Sequence, residues 1–282
     1  MSYNISSENL ANPLLKELLH ELNNFFSAMG IDFYIIGATA RDIVLSNIYD
    51  LVPDRKTVDL DIAVAISDWN QFGIIEEKLP ETNGFKKGQN QKQRFIYKDI
   101  YNVDIVPFGG VARDDGNIYW PPDETIAMSV WGFSEMADNA IVVEVDHEFF
   151  VKIASLPGLF LLKLIAWNNR HLSVSKDAYD MAILLTNYLD INAERAVGEH
   201  YDLYEEDEFD RIIAGARLIA RDIKLLTQGN ERTLKYLIEI VDKEIQLAEA
   251  SILINQLVDS GASLRYEQVV SCLESMLREW KC

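Results

Sequence analysis

Two aspartates stand two residues apart in VDLDIAVAI, residues 58–66, a run whose alternate positions from Val58 onward are all apolar. On a strand, residues i and i+2 share a face, so Asp59 and Asp61 project side by side while Val58, Leu60 and Ile62 fill the other face. Adjacent carboxylates repel, and in a partly buried place one must take up a proton unless a cation sits between them. A hard divalent ion resolves the conflict. Mg²⁺ prefers carboxylate oxygens, keeps several waters and binds substrate phosphates. Asp104 lies in a second alternating run, IYNVDIVPF. If the two strands pair, it reaches the same face and completes a site for two Mg²⁺ ions, or Mn²⁺ in their place. Asp59, Asp61 and Asp104 are therefore the candidate metal ligands and catalytic residues.

A second stretch, YIIGATARD (34–42), runs an apolar strand into a glycine and opens a helix directly after it. Such a turn aims unpaired backbone N–H groups outward with the positive end of the helix behind them, which suits the triphosphate of an NTP. Gly37 lets the backbone approach the phosphates closely. Ala38 follows in the same turn, Thr39 adds a hydroxyl and Arg41 a positive charge. Between this turn and the aspartates lies DRKTVDLD, where Arg55, Lys56 and Thr57 can neutralise phosphate charge. Each piece alone is commonplace: such turns are usually only turns, and an aspartate pair usually marks a solvated strand face. Their order carries the weight: strand, glycine turn, helix, Asp-x-Asp strand and a further strand aspartate match what two-metal phosphoryl chemistry requires.

The elements that must hold these groups are legible in outline. Leucines and phenylalanines at helical spacing span residues 8–29, and Gly30 stops that helix. DFYIIG reads as a short strand. Ser67-Asp68 reads as the N-cap of a helix over WNQFGIIEEKL. A hairpin is expected from strand 93–98, a turn near Lys98–Ile100 and strand 101–107, with further strands at 141–145 and 148–153. After Pro157 helical periodicity dominates, over 157–191 and 207–281. The expected class is α+β: a small mixed-sheet domain over 1–154, followed by a helical domain over 155–282.

Composition narrows the function classes. The chain has 282 residues, 49% hydrophobic and 25% charged, as in ordinary globular proteins. A net charge of −19 argues against extensive DNA binding or a long phosphate-backbone groove, which need clustered Lys and Arg. The acidic run YDLYEEDEFD (201–210) reads as a solvated loop. The N-terminus lacks the pattern of a signal peptide, and LPGLFLLKLIAW is too short to span a bilayer, so a cytoplasmic protein without membrane partners is expected. Cys272 and Cys282 read as incidental thiols. The four histidines are scattered without metal-ligand spacing, and Trp120 and Trp131 read as aromatics that cap a core.

The segment GATARDIVL…VDLDIAV resembles the head motif of the DNA polymerase β-like nucleotidyltransferase superfamily, and especially the minimal AbiEii-type toxins. LPGLFLLKLIAWNNRHLSVSKDAYDMAILL (156–185) is similar to that group's later motifs through Lys163 with Ala166, Arg170, Lys176-Asp177 and Asp180. The likeness covers roughly residues 30–190. Ala38 stands where the head motif has its second Gly or Ser, and the spacing to Asp59 exceeds the tight form. The resemblance implies transfer of a nucleoside monophosphate from an NTP to an acceptor hydroxyl on RNA, such as a tRNA end, on a protein, or on a small molecule such as an antibiotic, with pyrophosphate released. It also implies an antitoxin partner. By the same likeness Asp59 and Asp61 hold the metal that grips the triphosphate, and Asp104 binds a second metal and serves as general base. Lys163 then reaches the triphosphate, against the plainer reading of a lysine whose stem packs on the core. Asp177 and Asp180 orient Lys163 or contact base or ribose, or they are simply favoured by the helix dipole. A two-metal phosphotransferase and a non-catalytic nucleotide-binding regulatory partner are the alternatives.

Overall fold

The computed structural model describes residues 2–10, 12–49, 59–89, 91–205 and 208–282. It divides into two compact units, Met1–Ser155 and Leu156–Cys282. The first unit runs β1 (Ser2–Ile5), α1 (Pro13–Met29), β2 (Phe33–Ile36), α2 (Gly37–Ile43), β3 (Asp59–Ile66), α3 (Trp69–Lys78), β4 (Phe85–Lys87), β5 (Arg94–Tyr97), β6 (Tyr101–Gly109), β7 (Asn117–Tyr119), β8 (Ala127–Ser129), α4 (Phe133–Asp138), β9 (Ile141–Val145) and β10 (Phe149–Ile153). Eight strands form one mixed sheet in the order β1-β9-β10-β2-β3-β6-β5-β4, and β7 and β8 pair separately.

Local chemistry sets these elements. Asn12 caps α1 by accepting from the Leu14 N–H, Pro13 occupies the first turn, and Gly30 ends the helix at φ 64°. The helix therefore starts at Pro13, later than the apolar spacing alone suggests. Its Leu18, Leu19, Leu22 and Phe26 are fully buried, stabilising the unit by on the order of 2 kcal/mol each. Asp68 caps α3 by accepting from the Asn70 and Gln71 N–H groups, as its sequence position predicts. The expected hairpin is β5–β6, turning at Lys98 and Asp99 with φ of 50° and 57°. The sheet is larger than expected: β1 joins an edge beside β9, and β4 extends the other edge through only three residues. Such short strands carry too few alternating positions to stand out in a sequence.

The second unit is helical: α5 (Leu156–Arg170), α6 (Lys176–Ile191), α7 (Ala193–Glu199), α8 (Arg211–Leu226), α9 (Glu231–Gln246), α10 (Ile252–Val258) and α11 (Tyr266–Lys281). Helix α8 packs against α6 and α11. Gly215 permits the close approach to α6, since a Cβ there would lie 3.2 Å from the Leu189 nitrogen and 3.3 Å from the Leu185 oxygen. The apolar periodicity over 231–258 is broken between α9 and α10 by polar groups. Buried Glu244 accepts from the Ser251 hydroxyl at 2.7 Å, and Ser251 in turn caps α10 at the Ile254 N–H. The acidic run 201–210 does more than face solvent. Asp202 pairs with Arg221, and Asp210 caps α8 by accepting from the Ile212 N–H. Among the described residues no helix is long and apolar enough to cross a membrane.

Candidate active site

Strand register gathers the carboxylates. In the parallel β3–β6 pair, Asp61 stands beside Asp104 and Asp59 beside Asn102. Residues level on neighbouring strands share a face, so all four side chains rise from one side of the sheet. Leu60 and Ile62, which alternate with the aspartates, are fully buried. Asn102 Nδ2 donates to Asp59 Oδ1 at 2.9 Å.

The β5–β6 hairpin adds a group to the same face that the sequence reading does not include. Arg94 stands opposite Asp104 and grips it with two parallel bonds, Nε to Oδ1 at 2.8 Å and Nη2 to Oδ2 at 2.7 Å. The hydrogen bonds that Arg94 donates to Asp104 push its guanidinium above its ordinary pKa against the opposing effect of burial. The charges of Asp104, Asp59 and Asp61 act in the same raising direction. Arg94 thus lies in the field of all three carboxylates. Its place could have been found from the hairpin alone, because it lies as far before the turn as Asp104 lies after it.

The glycine turn is packed directly onto this face. Ile36, the last residue of β2, pairs with Asp61, and Gly37 follows at φ 71°. A Cβ on Gly37 would sit 2.3 Å from Asp61 Oδ2, so only glycine fits there with the carboxylate in place. Thr39 is buried, and its hydroxyl donates to the Asp59 carbonyl at 2.8 Å, tying the start of α2 to β3. Ala38 is half-buried between them. Arg41 is also buried and is engaged by its neighbour Asp42 at 2.8 Å through Nε. It is thus a partnered cation within the packed turn. Arg55, Lys56 and Thr57 lie outside the described residues.

The three carboxylates supply hard oxygen donors, on adjacent strands, of the kind Mg²⁺ prefers. Among the described residues no three His, Cys, Asp or Glu side chains form a ready cage for a metal ion. Asp104 is turned to Arg94 and Asp59 to Asn102. The donor types and their adjacency fit a divalent cation.

In the second unit, the residues of the later motifs form an ion-pair cluster between α5 and α6. Lys163 Nζ lies 2.5 Å from Asp180 Oδ2 and 3.3 Å from Asp177 Oδ1. Arg170 holds Asp177 through Nε to Oδ2 at 2.7 Å and Nη2 to Oδ1 at 2.8 Å. Lys163 and Asp180 are buried and Asp177 is wholly so. Burial pushes the Asp177 carboxyl up, but Arg170 and Lys163 together outweigh it and hold the group below its ordinary value. Lys163→Met removes the ammonium shared by two buried carboxylates and is expected to destabilise the protein by about 3 kcal/mol. A lowered urea midpoint at unchanged slope would show it.

The acid limb follows from the same group. Because the native pKa of Asp177 is lowered, its contribution is fully present above the unfolded value of about 4. It is lost as pH falls through the native pKa. Asp177→Asn should be less stable than the parent protein at neutral pH, and urea titrations below about pH 4 should find the two converging.

A family model described as "Nucleotidyl transferase AbiEii toxin, Type IV TA system" matches residues 22–271. The match runs beyond residue 190 and takes in α8, α9 and α10, helices that the sequence resemblance leaves out. No curated protein and no solved structure matches the chain. With an aspartate face, a glycine turn against it and a family match over most of its length, this chain belongs to the AbiEii nucleotidyltransferase toxin family of type IV toxin–antitoxin systems.

Proposed function

We propose that this chain transfers a nucleoside monophosphate from an NTP to an acceptor hydroxyl. The observation that carries the reading is the single sheet face on which Asp59, Asp61 and Asp104 stand together, with Gly37 packed against Asp61. Asp59 and Asp61 would hold one Mg²⁺, or Mn²⁺, and Asp61 and Asp104 a second. When bound, these ions neutralise phosphate charge and favour the ionised acceptor oxygen. The acceptor oxygen attacks the α-phosphorus, the bond from that phosphorus to the β-bridging oxygen breaks, and pyrophosphate leaves with the electron pair. The acceptor proton passes to Asp104 as general base.

The remaining chemistry is positioning and electrostatics, as in phosphoryl transfer generally. The turn at Gly37, Ala38 and Thr39 offers backbone N–H groups to the phosphates. Arg41, whose Nε is engaged by Asp42, belongs to the same reading as the positive charge at that turn. Arg55, Lys56 and Thr57 belong to the same reading by their place in the sequence, as phosphate-neutralising groups. Lys163, Asp177 and Asp180 belong to it through family membership, as nucleotide-binding residues. The net charge of −19 favours a brief engagement with an RNA end, or a protein acceptor, over a long nucleic-acid groove. An antitoxin is the partner that the family implies.

The leaving group tests this directly. NTP labelled in turn at the α- and γ-phosphates is incubated with the protein, Mg²⁺, total RNA and cell extract. Release of labelled pyrophosphate, with α-label fixed in a nuclease- or protease-sensitive product, is the expected result. Transfer of γ-label with nucleoside diphosphate released would replace the reading with a phosphotransferase.

A further inference from the structure

The reaction needs Asp104 with an open oxygen, yet Arg94 engages both of its oxygens. The strand order β3-β6-β5 places Asp104 between a carboxylate on one side, Asp61, and a guanidinium on the other, Arg94. Asp104 therefore has two ways to be neutralised: by Arg94 from β5, or by a divalent cation shared with Asp61 from β3. Sheet register builds the first arrangement, so it is a fixed feature of the fold. The pair is also exchangeable. The Arg94 and Asp104 side chains remain 31% and 17% exposed, so water reaches them and separating the charges avoids the full penalty of a buried pair. Arg94 feels Asp59 and Asp61 as well as Asp104, which makes it a counter-ion of this face among the described residues.

Resting on the nucleotidyl-transfer reading, we propose that Arg94 is a positioning residue that exchanges partners. Without nucleotide it holds Asp104. When NTP and divalent cation load together, Arg94 releases Asp104 toward Asp61 and turns its fork to a phosphate oxygen. A planar guanidinium fits phosphate with the same two-bond geometry that it uses on a carboxylate. The exchange would keep the general base capped until substrate is present, and it would make the second cation depend on nucleotide. The competing arrangement is a permanent clamp. A carboxylate offers about four lone-pair directions and the fork takes two, so a cation could share Asp104 with Arg94 in place. The two arrangements differ in what removal of Arg94 does to cation affinity.

The test is a Mn²⁺ titration, with free ion followed by electron paramagnetic resonance and no nucleotide present. The four proteins are the parent, Arg94→Gln, Asp104→Asn and the double variant. Exchange predicts that Arg94→Gln tightens Mn²⁺ on the order of tenfold when Asp104 is present, and not when Asn stands at 104. Equal tightening in both backgrounds would be a through-space charge effect, and no tightening would be a permanent clamp; either overturns the proposal. Arg94→Lys keeps the charge but not the fork and should tighten Mn²⁺ less than Arg94→Gln. If circular dichroism shows Arg94→Gln unfolded, the Lys variant carries the same comparison in both backgrounds. Mn²⁺ binding equal in parent and Arg94→Gln removes only the role of Arg94. Absence of Mn²⁺ binding in every protein, even with NTP, removes the nucleotidyl-transfer reading and this proposal with it.

Discussion

Asp61→Asn should lower nucleotide transfer by about 10³-fold or more, roughly 4 kcal/mol of barrier, while leaving the fold intact. Asp61 is the residue at which the lines of the site meet. It neighbours Asp104 across β3–β6, shares its face with Asp59 and lies against Gly37. In the proposed chemistry it is the ligand common to both cations, so the amide would weaken both positions at once. Stability should change far less. Asn is nearly the same size, and the repulsion relieved by removing one of several neighbouring like charges is offset by the lost attraction to Arg94. Turnover and melting temperature measured on the same preparation separate the two effects. A variant that keeps full transfer would remove Asp61 from the machinery, and one that loses transfer only by unfolding would make it structural.

Gly37→Ala is expected to lose about 10²-fold in turnover, because displacement of a catalytic group by an ångström can cost that much. Alanine at φ 71° meets a backbone penalty of about 1–2 kcal/mol. Its Cβ would also fall 2.3 Å from Asp61 Oδ2 and 3.1 Å from the Asp61 Cβ and Cγ, so the carboxylate must move. Asp61 is a side chain and can give way, but giving way takes it from the place where it serves. The pair Gly37→Ala with Asp61→Ala separates these contributions. Truncating Asp61 removes the 2.3 Å clash with its carboxylate and leaves the 3.1 Å approach to its Cβ and the backbone cost, so the double variant should be more stable than the sum of the two single changes predicts. Strict additivity in urea denaturation would show that the turn does not press on Asp61.

The aspartate face could be read from the sequence because period-two alternation on β3 and β6 states which side chains share a face. The relation between the strands could not. That Asp104 stands level with Asp61 follows from the parallel register, which the sequence does not encode locally. Arg94 escaped for a different reason. It is a single cation on a short strand, meaningful only once the hairpin is folded about Lys98 and Asp99. The place of Arg41 in a glycine turn says nothing of Asp42, which engages it within the packed turn. Lys163 was marked by its likeness to the later motifs, which singled out both of its carboxylate partners as well. Strands β1 and β4 escaped because three or four residues do not establish a period.

Nucleotidyl transfer, as proposed, runs on the carboxylate face of the first unit. It is checked by incorporation of α-labelled NTP into macromolecular acceptor by the parent protein and by an Asp59→Asn/Asp61→Asn double variant of equal thermal stability. Label that depends on added divalent cation in the parent, and none above background in the variant, is expected. Equal incorporation by both proteins, or none from any NTP with RNA and protein acceptors supplied, would contradict it.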